Sequence, residues 1–104
     1  MGCGHYILDG KTPVEQPDAM KWAEWYEKIE NRKVARTELA GMTVSTVFLS
    51  IDHNYGGGGQ PILYETMIFG GDHSDYQRRY HTWAEAEAGH WWTVSHLEHN
   101  IPLE

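Results

Sequence analysis

Cysteine is nearly missing: Cys3 stands alone, so an intrachain disulfide cannot form and a zinc site built on several thiolates is excluded. A reducing cytosol is the expected compartment. Basic residues are also few, eight Lys and Arg against fifteen Asp and Glu, and the formal net charge of −7 repels phosphate backbones and anionic lipid. Direct nucleic-acid binding is therefore disfavoured. No apolar run approaches the roughly 20 residues that cross a bilayer, and Met1 to His5 lack a basic stretch leading into an apolar one. Neither export nor membrane insertion is expected. The chain has no internal repeat, no H-E-x-x-H, no serine elbow and no Walker loop.

What the chain does have is aromatic surface. Its 104 residues allow one small domain, 1–104, and include five Trp, six Tyr and two Phe. A domain this short hides only about 60 to 65% of the surface its unfolded chain exposes, so large side chains must supply much of the burial.

His5 to Leu8 reads as a strand stopped by Asp9-Gly10, and Thr12 to Pro17, with two prolines, as an irregular connector. Asp18 is placed to cap a helix running from Ala19 to about Lys33, with Trp22, Trp25, Tyr26 and Ile29 at the i, i+3, i+4, i+7 positions of one face. Val34–Leu39 and Met42–Ile51 read as a hairpin turning at Ala40-Gly41, with the second strand apolar on both faces and so central. Asp52 to Gln60 is a loop, Pro61 to Phe69 another strand, and Gly70 to Asp75 a second polar loop. Thr82-Trp83-Ala84-Glu85 is a capping box opening a helix to about Leu97, with Trp83, Ala86, His90, Val94 and Leu97 facing inward. Gly89 inside that helix implies a neighbour packed too closely for a side chain. The predicted fold is α+β, in the order β-α-β-β-β-α: a mainly antiparallel sheet of three to four strands against two helices.

Tyr6 to Gly10, Trp22 to Trp25, Val44 to Leu49 leading to Asp52-His53, Glu65 to Gly71, and Tyr80 through Thr82-Trp83 to Gly89-His90 together resemble short proteins encoded by bacteriophages and prophages. These stretches span most of the chain. The resemblance implies a phage-related origin; the group has no established activity, so no catalytic or binding role comes with it. Gly56 to Gly59 and Trp91-Trp92 stand apart from the shared stretches.

Seven histidines are many for this length, and His53, His81 and His90 fall near element ends. With Glu65 they are the candidate set for a divalent metal or a small ligand, since imidazole suits zinc, copper, nickel and iron. The spacing is not that of a known site, and no cofactor is expected. Glu65 is also the carboxylate that could face His90 across a strand and helix. Arg78-Arg79 could hold a phosphate or carboxylate locally, whereas the glycine run, which lacks a lysine and joins two strands, reads as a hairpin tip rather than a phosphate cradle. Cys3, with no basic neighbour, is an unpromising nucleophile.

Trp91 and Trp92 are about 100° apart on a helix, so one sheet cannot bury both; Trp92, on the arc of Glu85 and His96, is expected to be the outward one and an interface anchor. The reading that follows is a non-enzymatic phage accessory protein, cytoplasmic in its bacterial host, acting on a host protein or on itself as a homo-oligomer. Two alternatives stay open. The acidic surface could imitate nucleic acid and block a host defence protein, or the loop-end histidines could serve a small-ligand binder or metal-assisted hydrolase.

Overall fold

A computed structural model describes residues 3–54 and 58–103. It is α+β: a two-stranded and a four-stranded antiparallel sheet, with three helices. The chain runs β1 (Tyr6–Asp9), β2 (Thr12–Glu15), α1 (Ala19–Glu27), α2 (Ile29–Arg32), β3 (Lys33–Leu39), β4 (Met42–Phe48), β5 (Tyr64–Phe69), a 3-10 turn (Gly71–His73), β6 (Gln77–Tyr80) and α3 (Trp83–Glu98). Two strands and a short helix therefore exceed the predicted order.

The predicted connector is β2, paired to β1 with Asp9 opposite Thr12 and Leu8 opposite Pro13. Proline is tolerated because the bonded pairs alternate. Gln16 N–H donates to His5 O at 3.0 Å, which puts positions 5, 7 and 9 in bonded pairs and Leu8 and Pro13 in an unbonded one. Asp18 caps α1 as expected, its Oδ1 accepting from Met20 and Lys21 N–H at 3.0 and 3.1 Å. The helix stops six residues short of Lys33, at Glu27, where Lys28 turns extended. Side chains from beyond the break take its last carbonyls: Asn31 Nδ2 donates to Trp25 O at 2.9 Å and Arg32 Nε to Tyr26 O at 3.0 Å. Apolar periodicity carries no trace of such capping.

The large sheet has the order β3-β4-β5-β6, and β4 is internal, as its two apolar faces require. Gly41 makes the β3–β4 turn at φ 73°, the left-handed conformation expected of it. β4 ends at Phe48 rather than Ile51, because Ser50 takes a positive φ of 69° and redirects the chain. There the N-terminal hairpin is attached: Tyr6 N–H donates to Ser50 O at 2.8 Å, Asp52 N–H to Gly4 O at 3.0 Å, and His5 bridges Ile51. The strand predicted from Pro61 begins at Tyr64, and Gln77–Tyr80, which lie in no predicted element, form β6, an edge strand of four. The predicted hairpin tip at Gly56–Gly59 falls partly on residues 55–57, outside the described residues.

α3 packs across all four strands of the large sheet, with its capping box in place: Glu85 N–H donates to Thr82 Oγ1 at 3.1 Å, and Glu85 Oε1 accepts from Thr82 N–H at 3.3 Å. Ala86, His90 and Val94 reach the sheet as the predicted stripe requires. Phe48, Leu63, Tyr64, Tyr80 and Ala86 form one core cluster, and Val44, Ile68 and Val94 a second. Gly89 is the predicted close contact: a Cβ there would run into the phenol of Tyr80. No described helix is long and apolar enough to cross a membrane.

Candidate functional site

A buried hydrogen-bond chain runs through the layer between α3 and the sheet. Tyr80 Oη on β6 donates to Thr66 Oγ1 on β5 at 3.0 Å; Thr66 and Thr46 hydroxyls lie 2.6 Å apart; Thr46 Oγ1 on β4 meets His90 Nδ1 at 2.8 Å; and His90 Nε2 meets Thr37 Oγ1 on β3 at 2.9 Å. Each hydroxyl has one proton. Since Thr66 accepts from Tyr80, the assignment that places every inner proton has Thr66 donating to Thr46, Thr46 to Nδ1, and Nε2–H to Thr37. Burial holds the imidazole pKa below its ordinary value, in keeping with the neutral ring this order requires. Burial also raises the pKa of Tyr80, and pushes that of Tyr64 up to about 12, so both phenols stay protonated at neutral pH.

The expected Glu65–His90 pair does not form. Side chains alternate between the faces of a strand, so Glu65 points to the sheet face opposite that of Thr66, Thr46 and His90. There it accepts from Gln77 Nε2 at 2.6 Å and from Arg79 Nε at 3.0 Å, the ion pair that makes a 7% exposed carboxylate tolerable.

The four residues considered for a metal do not come together as a set. His53 and His81 are both attached near the Pro61-Ile62 segment, His53 N–H donating to Ile62 O and His81 Nδ1–H to Pro61 O, each at 3.0 Å. Glu65 lies on the open face and His90 in the core. Among the described residues no group of three or more His, Cys, Asp or Glu side chains gathers as a metal site would. Cys3 is exposed, its thiol donating to His5 O at 3.2 Å.

The residues that do converge are Arg78, His81 and Trp92, with Arg79 at the margin. With Tyr80, Glu85, Ala88 and Gly89 they line an open groove of about 430 Å³ between β6 and one flank of α3. Ala88 leaves the space, Gly89 lets the Tyr80 ring lie against the helix, and Trp92 supplies an aromatic wall, its ring stacked on His96 with centroids 3.8 Å apart. The Arg78 guanidinium lies 5.1 Å from the Trp92 ring and 5.9 Å from that of Tyr80. It pairs with no carboxylate among the described residues. Glu85, the acidic group in the groove, is engaged with the backbone, its Oε1 accepting from His81 N–H at 2.9 Å and from Thr82 N–H. β6 is an edge strand, so one side of its backbone faces this groove unpaired by any described strand.

The tryptophan pair corrects one expectation: Trp91, 53% exposed, is the outward residue, and Trp92 is half-buried. His96, one turn along, and Arg78, from β6, cover Trp92. Helix periodicity alone could not show that a strand would supply the second of these. No protein-family model, curated protein or solved structure matches the chain.

Proposed function

We propose that the chain is a non-enzymatic accessory protein of a bacteriophage or prophage, acting in the host cytoplasm by binding a host protein or a second copy of itself. The observation that carries this reading is the groove beside β6, where a guanidinium that pairs with no carboxylate among the described residues is held against two aromatic rings. Arg, Trp and Tyr are the residues in which binding energy concentrates at protein interfaces. Exposed Trp91, also on α3, adds a further apolar anchor. The titratable groups of the interior support binding over chemistry, because His90 has both ring nitrogens bonded inside the core.

The test is light scattering of untagged protein with elemental analysis of the same peak, joined to crosslinking and mass spectrometry against soluble host proteins. Expected is either a metal-free assembly or one host protein crosslinked at β6 or α3, and in both cases its loss in Trp91→Ala or Trp92→Ala. A monomer carrying one metal per chain overturns the reading, as does a monomer with no partner crosslinked at those elements.

A further inference from the structure

Resting on that binding reading, we infer that the groove takes an extended, acidic peptide segment of the partner, which adds as a fifth strand to the free edge of β6. Three features of the groove point the same way. The first is the edge itself: β6 pairs with β5 on one side, and on the other its backbone groups open into the groove, where an extended segment can satisfy them.

The second is the placing of charge. Arg78 and Arg79 are neighbours on a strand, so they project to opposite faces, Arg78 toward α3 and Trp92, Arg79 toward Glu65. An added strand would present its own side chains alternately to the same two faces, so of two successive acidic residues one falls on the α3 face and meets the Arg78 guanidinium. Arg79 meets Glu65 through Nε at 3.0 Å and is thereby paired. Arg78 enters no ion pair among the described residues. Glu85 forms no ion pair with Arg78; its Oε1 accepts instead from the His81 and Thr82 N–H groups just before α3.

The third is room. Ala88, with no side chain beyond Cβ, forms the α3 side of the groove where a larger residue would narrow it, and the Trp92 ring stands at its wall. A nucleic acid could also stack on an indole and meet arginines, but the net charge of −7 opposes a polyanion along the rest of the surface, whereas a short acidic segment meets only the local field.

Fluorescence anisotropy distinguishes these occupants. The probes are a labelled peptide pool of about six residues, the length of an ordinary strand, with Glu at two successive central positions and Val or Thr elsewhere; the same pool with Lys replacing Glu; the Glu pool N-methylated along its backbone; and an oligothymidylate of similar length. The Glu pool is expected to bind at least about tenfold more tightly than the Lys pool. That preference should vanish in Arg78→Ala, and binding should be lost on N-methylation, which removes the strand hydrogen bonds. Amide exchange of the full chain should slow along Gln77–Tyr80 when the Glu pool is added. Equal affinity for the Glu and Lys pools, binding indifferent to N-methylation, tighter binding of the oligothymidylate, or no binding up to about millimolar overturns the inference. If the chain still assembles or crosslinks through Trp91 or Trp92, the broader binding reading survives that failure.

Discussion

The N-terminal unit, β1 through α2, and the large sheet with α3 are built from the same kinds of residue and bury them to different depths. Every buried residue of the described chain lies between Val44 and Val94, whereas Trp22, Trp25 and Tyr26 of α1 are only half-buried, Met20 is 75% exposed and Ile29 59%. The reason is layering. β4 and β5 have neighbours on both edges and a sixteen-residue helix over one face, so Phe48 and Tyr64 reach 0% exposure. A two-stranded hairpin with a nine-residue helix offers no such enclosure and would be marginal alone. It is held by Trp25 meeting Phe48 edge-on at 5.7 Å, by Tyr6 and Leu8 against the same cluster, and by the backbone bonds at Ser50. Amphipathicity alone therefore does not decide depth of burial: α1 is the more amphipathic helix and the less enclosed, because burial follows what lies opposite.

The largest test of this contrast is Gly89→Leu. Its side chain would be driven into Tyr80, at an expected cost of about 3 kcal/mol that lowers the urea midpoint of the whole chain, since the N-terminal unit depends on the core beneath it. An unchanged midpoint would show that α3 and β6 are not in close contact.

Next is His90→Leu, which strands Thr37 and Thr46 and should cost about 1 to 3 kcal/mol. It also carries a pH signature. Burial holds the folded-state pKa of His90 below 6.5, so in that range unfolding takes up a proton. The stabilisation is complete above the unfolded value and is lost as pH falls through the folded one. Urea midpoints measured from about pH 8 to about pH 5 should therefore fall less steeply in the variant than in the parent chain; parallel slopes would remove His90 as the source.

The smallest effect sharpens the comparison most. Asp18→Ala removes a cap worth about 1 kcal/mol, and amide exchange should quicken along Ala19–Glu27 while α3 and β4 keep their protection. Equal loosening of both regions would mean that they open as one unit.

Where local rules suffice, the reading of the chain was accurate. The Asp18 cap, the Gly41 turn, the Thr82–Glu85 box, the inward stripe of α3 and the internal place of β4 depend on neighbours a few residues away or on simple periodicity. β6 was missed because Gln77-Arg78-Arg79-Tyr80 has no apolar alternation: an edge strand with one buried residue needs little. β2 was missed because proline argues against a strand until register shows that its missing donor falls at an unbonded position. The groove was half-legible, its arginines and Trp92 each noticed singly, but their convergence depended on a strand that composition hid.

The linear order of residues determined the fold class, the starts of α1 and α3, the buried face of α3 and the scarcity of positive charge, because these follow from backbone preference, spacing and counting. Tertiary structure alone decided that His90 would meet threonines rather than Glu65, that Arg79 would neutralise Glu65, and that Arg78 would lie over Trp92. Strand register and face set those partnerships, and a shift of one residue sends every side chain of a strand to the other face of its sheet.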